Sequence, residues 1–409
     1  MKTALAVLFL NGAGWAQTGF TETGAVAQRA AEEAVLAAIA PADLEAMARK
    51  LSARPHVAGT PGQAAFADTL AAWLRSWGLG LETPRYDVFL PHATAVSVAL
   101  VASETLDLAL VERPIPDDAA TAYPQYPWVN GYAAPGIAEA EVVYANHGLH
   151  DDYALLDSLG IGVAGKIVLA RYGRSYRGVK ARLAGEHGAA ALVLYSDPLD
   201  DGYVQGDLYP VGPFRPWDGI QRGSVLDGIG DPATPAGPST SGAPREPPRG
   251  LPAIPVIPVS YEAAAEILER IGGADLPRQE WQGGLPFRYH VGPGPARVRV
   301  IVDDDRDDAA RGIKEVRDVL GRIEGRELPD EWVILGAHID AWGPGAADNV
   351  SGTVSVWAAA RALAQLAAAG QGPRRTVIFA GWDGEEWGLI GSTEWVEEHA
   401  AELASRAVA

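Results

Sequence analysis

Five side chains in the last quarter of the sequence have the types and spacing for shared chemistry. His338, Asp340 and Asp348 lie in GAHIDAWGPGAADNVSG, and Glu385 and Glu386 lie side by side in WDGEEWG. An imidazole nitrogen with carboxylate oxygens is a donor set that suits zinc. Two such ions about 3.5–4 Å apart need a bridging carboxylate, and Asp348 is the candidate bridge. Asp340 is close enough in sequence to His338 to accept its other ring proton and hold its tautomer. Glu386 would ligate one ion. Glu385, facing another way, would take a proton from bound water and pass it to a leaving amine. Singly, each feature has an ordinary reading: a structural histidine, a solvated pair of glutamates, an aspartate helix cap. Their joint occurrence carries the metal reading.

Such a site needs elements that bring it together. Trp332 to His338 (WVILGAH) reads as a buried strand, and Ser351 to Gly370 as a helix. Arg374 to Trp382 (RRTVIFAGW) reads as a second buried strand, and Ser392 to Val408 as a single second helix. Apolar strands alternating with amphipathic helices imply a sheet covered on both faces. In such sheets ligands bind beyond the carboxyl ends of the strands. His338 and the Glu385-Glu386 pair both fall just past such ends, where adjacent side chains face opposite ways.

The earlier chain has a different texture in its middle. Residues 25–54 carry helical patterning, RPHVAGTPG is a turn-rich loop, and Gln63 to Trp77 is a helix. YDVFLP and AVSVALVA read as strands. From about 91 to 312 strands are short and Pro and Gly are frequent. Within that span AGKIVLARYG, VKARLAGEHG and AAALVLYSD form a β-α-β unit in a mostly β segment. Gly230 to Pro252 is too rich in Pro and Gly for regular structure, and a loop of that length suggests a role.

The 409 residues suggest two or three domains, with 48% hydrophobic and 21% charged residues in an ordinary globular balance. A net charge of −19 argues against a nucleic-acid partner. The absence of cysteine removes disulfides, thiolate zinc sites and a cysteine nucleophile. No G-x-S-x-G motif follows a strand, which argues against a serine hydrolase. Residues 1–16 combine Lys2, the apolar run Ala4 to Leu10 and the small-x-small Gly14-Trp15-Ala16. That is the pattern of a signal peptide, and it implies a secreted or periplasmic protein.

The order of PHVAGTPG, YDVFL, GKIVLARYG, YRGVK, LYSDP, QRGS, GDPATP, WVILGAHID and WDGEEWGLIGSTEW resembles the glutamate carboxypeptidase II and transferrin-receptor group of zinc exopeptidases. The resemblance covers nearly everything after the signal segment. It implies an α/β fold, a mixed sheet flanked by helices and interrupted by a mostly β protease-associated domain. The peptidase domain would take residues 17–90 and 313–409, and the inserted domain 91–312. It gives His338 and Asp348 to one zinc, Asp348 and Glu386 to the other, and general acid/base duty to Glu385. A peptide is the implied substrate, and carboxypeptidase-type action the implied activity. An aminopeptidase of the same fold and a non-catalytic receptor-like ectodomain remain as alternatives.

The resemblance also implies features that this chain only partly matches. Arg177 of YRGVK would clamp a substrate carboxylate, with an ion-paired surface arginine as the plainer reading. Ser224 of QRGS stands where the family has an asparagine, which puts glutamate preference in doubt. Calcium would sit between Glu394, Glu397, Thr234 and Gly237, and Gly237 replaces a usual tyrosine. One further aspartate and one further histidine would lie downstream, together with a helical domain that makes a homodimer. On this reading the chain is truncated, and alone it is expected to bind zinc weakly and hydrolyse no peptide.

Overall fold

The computed structural model describes residues 19–101, 105–307 and 312–409. The signal-peptide pattern of residues 1–16 lies outside the described residues. No described helix is long and apolar enough to cross a membrane.

Two sheets organise the chain. The first has four strands in the order Gly80–Glu82, Val319–Ile323, Arg375–Trp382, Leu328–His338. Its first two pairings are antiparallel and its last is parallel, so the sheet is mixed. The helices Pro61–Ser76 and Val350–Ala368 cover one face, burying Leu70, Leu74, Trp357 and Phe379 between them. The first of these starts cleanly: Thr60 accepts a hydrogen bond from the Gln63 amide, and Pro61 opens the first turn. The other face packs Ile378, Ile390 and Trp395. In the parallel pairing His338 stands opposite Trp382. The chain therefore leaves both strands at the same carboxyl end, and this brings the two motifs together.

The second sheet has seven strands drawn from residues 93–304. Gly136–Tyr144, Ile167–Arg171, Ala191–Tyr195 and Val256–Val259 run parallel. Arg297–Asp304, Ala93–Val101 and Thr105–Leu108 extend the sheet antiparallel. Every residue of Ile167–Arg171, Ala191–Tyr195 and Val256–Val259 is buried, as expected where helices cover both faces of a parallel sheet.

Three expectations need correction. The strand Leu328–His338 is an edge strand rather than a buried one. Only Trp332 in it is buried, and Leu335 is 42% exposed. Its apolar run reflects one packed face, while its free flank pairs only with the last residues of the chain. There the Val408 amide donates to the Trp332 carbonyl at 2.9 Å and the Ile334 amide to the Ala409 carbonyl at 2.8 Å, in a parallel bridge. The helix expected over 392–408 is two helices, Ile390–Glu398 and Ala400–Arg406. His399 parts them, stacked on Trp395 at 4.7 Å with its Nδ1 2.9 Å from the Trp395 carbonyl, where the ring competes with the helix ladder. Finally, Glu385 and Glu386 do lie just past the strand Arg375–Trp382, but not in extended backbone. They open a one-turn helix, Glu385–Gly388, entered through Gly384 at φ 72°.

Candidate metal-binding and catalytic site

His338 projects from the end of the edge strand into a small acidic corner. Its Nε2 lies 2.9 Å from Oδ1 of Asp348. Its Nδ1 lies 3.1 Å from the main-chain carbonyl of Asp340, 3.7 Å from the Asp340 carboxylate and 3.6 Å from Glu385. Burial alone would lower the imidazole pKa, but Asp340 and Asp348 outweigh it and lift it to about 10. Asp348, with a side chain 75% exposed, is held below its ordinary value by the hydrogen bond from His338.

Asp340 does more than the sequence suggested. Its fully buried carboxylate accepts the Glu385 amide at 2.9 Å and the Glu386 amide at 3.3 Å. It therefore caps the first turn of the Glu385–Gly388 helix, while its carbonyl lies nearer His338 Nδ1 than its carboxylate does. Successive helical residues turn by about 100°, so the two glutamates still diverge, for a helical reason rather than a strand one. Burial raises the Glu386 carboxyl to about 8, helped by the charges of Asp340, Asp348 and Glu385. Burial also raises Glu385, against the pull of His338 and Arg177.

The two tryptophans around the pair explain that desolvation. Trp387 is buried against Trp342 (4.9 Å between centroids), Tyr132 (5.4 Å) and His92 (5.5 Å). Trp382 turns the other way and packs on Trp395 at 5.3 Å. Gly131 of the inserted unit lies so close to Trp342 and Trp387 that a Cβ there would stand 2.8 and 3.1 Å from their rings. The aromatic cluster thus joins the two units directly behind the glutamates.

Three positioning residues were missed from sequence. His56 is buried, and its Nε2 donates to Oδ1 of Asn349 at 2.8 Å. Asn349 Nδ2 donates to the His338 carbonyl at 3.0 Å, and Thr353 Oγ1 donates to the same carbonyl at 2.7 Å. This chain fixes Asp348 and His338 relative to each other. The histidine of RPHVAGTPG, just ahead of a well-capped helix, was the available signal.

On the side of the inserted unit, Arg177 and Ser224 do meet, though through the main chain. Arg177 Nη1 donates to the Ser224 carbonyl at 3.3 Å, while the Ser224 hydroxyl accepts the Leu226 amide at 3.0 Å. The charge of Arg177 is felt at Glu385. Of the residues assigned to calcium, Glu394 and Thr234 already have protein partners at their oxygens. Buried Glu394 accepts the Asp231 amide at 2.8 Å and the Ser239 amide at 2.6 Å. Thr234 Oγ1 is paired with the Ser239 hydroxyl at 2.6 Å, and Arg245 is paired with Asp231 at 2.9 Å. Glu397 is exposed, and the Gly237 amide donates to the Thr234 carbonyl. This clasp is the role of the long 230–252 loop: it pins the inserted unit to the helix Ile390–Glu398.

The chemistry of the corner suits zinc. Two ligands about 2 Å from one tetrahedral ion stand about 3.3 Å apart, close to the 2.9 Å between His338 Nε2 and Asp348. Among the described residues, however, no three His, Asp or Glu side chains converge tightly enough to hold an ion by themselves.

Residues 318–409, which contain all five of these side chains, match the family model for Peptidase family M28, and residues 127–227 match that for the PA domain. A probable glutamate carboxypeptidase of Zea mays, VP8, is 39% identical over 90% of this chain and 49% of its own length. The last segment of this chain, residues 318–409, thus matches peptidase family M28, and the chain is similar to glutamate carboxypeptidases along most of its length. The murine aminopeptidase NAALADL1 is 35% identical over 88% of the chain and 51% of its own length. The chain thus spans about half the length of the curated relatives it matches. A crystal structure of a Peptidase M28 precursor from Shewanella amazonensis superposes with a TM-score of 0.59 at 20% identity, over 94% of this chain and 73% of that one. That likeness speaks to the shared M28 fold.

Proposed function

We propose that this chain is part of a zinc-dependent exopeptidase of carboxypeptidase type, with Glu385 as its proton carrier. The observation behind this reading is the His338–Asp348 pair facing two glutamates that accept no side-chain hydrogen bond, beside Arg177. His338 and Asp348 would hold one zinc ion, and Asp348 and Glu386 a second. Zinc there would polarise the scissile carbonyl and make water a nucleophile at neutral pH. Glu385, raised by burial, would take the proton of the attacking water and deliver it to the leaving amine. Asp340 would keep Glu385 and Glu386 apart by holding both amides. Arg177 would grip the terminal carboxylate of the peptide.

The 409-residue chain alone would bind zinc weakly and leave peptides intact, because two protein ligands per ion fall short of the three or four usual for zinc. Secretion and homodimer formation belong to the same proposal. The Asp231 and Ser239 amides already compensate the Glu394 carboxylate, so the clasp is read as cation-independent.

An aminopeptidase is the second reading, favoured by the NAALADL1 likeness. The two separate on blocked peptides in an active form of the protein. A carboxypeptidase cleaves N-acetylated peptides and spares C-terminally amidated ones, and Arg177→Ala raises KM for free C-termini alone. Cleavage of amidated peptides, unaffected by Arg177→Ala, would establish the aminopeptidase reading instead.

A further inference from the structure

A cavity of about 740 Å³ opens in the inserted unit next to the acidic corner. Its walls are apolar: Ile115, Trp128, Phe214 and Trp217 line it, and Arg222 and Pro344 lie at its border. Pro344 belongs to the loop between Asp340 and Asp348. A Cβ on its neighbour Gly343 would stand 3.2 Å from Arg222 Nη2, so the guanidinium rests against that loop. The charges of Glu112 and Glu386 both act on Arg222. The cavity and the acidic corner therefore share a border.

The walls are held in advance. The Asp218 carboxylate accepts the Arg113 amide at 2.8 Å and its Nε at 2.9 Å, and Arg113 lies over the Trp217 ring at 4.8 Å. Asp201 fixes Arg215 in the same double fashion, at 3.1 and 2.9 Å. Glu112 accepts the Ile220 amide at 2.7 Å. These charges are used internally, which leaves the cavity an apolar interior. Trp217 is 54% exposed and Val211 85% exposed, unusual for side chains of their size without a partner. Arg222 is the exception among the charges. It donates one hydrogen bond, to the Tyr126 carbonyl at 3.1 Å, lies over the Trp128 ring at 5.3 Å, and is in no ion pair with a described residue.

Two arginines fit this to a peptide. Arg177 sits on the Ser224 carbonyl and acts on Glu385, while Arg222, just ahead of the short strand Gly223–Ser224, rests against the loop between Asp340 and Asp348 and acts on Glu386. We propose that the cavity is a specificity pocket for a bulky apolar or aromatic side chain on the penultimate residue of a peptide. Arg222 lines that pocket, and Arg177 holds the terminal carboxylate. The inference rests on the carboxypeptidase reading for the direction of the peptide, and on the cavity for the preference itself.

Calorimetric titration of the 409-residue chain with N-acetyl-Phe-Glu and N-acetyl-Ala-Glu tests this without needing metal or turnover. The phenylalanine peptide should bind at least about tenfold more tightly, since burying a benzyl group adds apolar area. Trp217→Ala, which removes a wall, and Ile115→Trp, which fills the cavity, should each erase the difference. Arg177→Ala should weaken both peptides alike. If Arg177→Ala changes neither affinity while the phenylalanine preference stands, the carboxylate reading fails and the pocket survives. Equal or undetectable binding of the two peptides to the unaltered chain overturns the pocket, as does a preference that persists in both cavity variants.

Discussion

Two groups of carboxylates flank the Glu385–Gly388 turn, and the fold treats them in opposite ways. On the side of the inserted unit, Asp231 and Glu394 are saturated. Glu394 accepts two amides, and Asp231 accepts the Phe89 and Ala233 amides, the Ser239 hydroxyl and Arg245. On the other side, Glu386 accepts no hydrogen bond from any described residue, and Asp348 and Glu385 are met only by His338. A buried carboxylate supplied with amide donors holds structure in place, and at Glu394 those donors oppose the burial that raises its carboxyl. One left without donors in a desolvated corner is strained toward the proton or toward a cation. The contrast separates carboxylates that hold the loop from carboxylates available for chemistry, although all are of one residue class and lie close in sequence.

The largest expected effect breaks the reactive side. In an active form of the protein, Glu385→Gln should cost about 10²–10⁴-fold in kcat while zinc content is unchanged. Zinc loss with this substitution would make Glu385 a ligand instead. Next, Asp340→Asn should weaken zinc binding about 10–100-fold, because one of two amides loses its acceptor and the glutamates lose their spacing. A chelator-competition assay reads this, and unchanged affinity would reduce Asp340 to a bystander. His56→Phe keeps the stacking on Phe66 but leaves Oδ1 of Asn349 without its donor. It should cost about 1–3 kcal/mol in denaturant unfolding of the peptidase unit. The smallest effect sharpens the saturated side. Glu397→Gln, exposed and one turn from Glu394, should change stability by less than about 0.5 kcal/mol, with or without a calcium chelator. A calcium-dependent loss would show that the clasp holds a cation after all.

Much of this site was legible in the sequence because strand order and motif order coincide. His338 and Glu385-Glu386 follow neighbouring strands, so the register that sets His338 opposite Trp382 had only to be parallel for the motifs to meet. Less legible were features set by partners remote in sequence. The apolar run of Leu328–His338 cannot tell an edge strand from a central one, since that depends on what pairs with its other flank. The Glu385–Gly388 turn depends on Asp340 being there to cap it. His56 looked like part of a loop because its partner Asn349 lies far along the chain. Glu394 and Glu397 suggest a cation site in the sequence, because acidic residues on one helix face give no sign of the amides that meet Glu394.

The contrast between the two carboxylate groups is tested most directly by comparing Glu386→Gln with Glu394→Gln in the 409-residue chain. Zinc affinity would be measured by chelator competition, and loop docking by proteolysis of residues 230–252. The account predicts that Glu386→Gln abolishes the weak zinc binding and leaves the loop protected, whereas Glu394→Gln exposes the loop to cleavage and leaves zinc affinity unchanged. If instead the Glu394 substitution releases zinc and the Glu386 substitution frees the loop, the assignment of chemistry to one group and structure to the other is wrong.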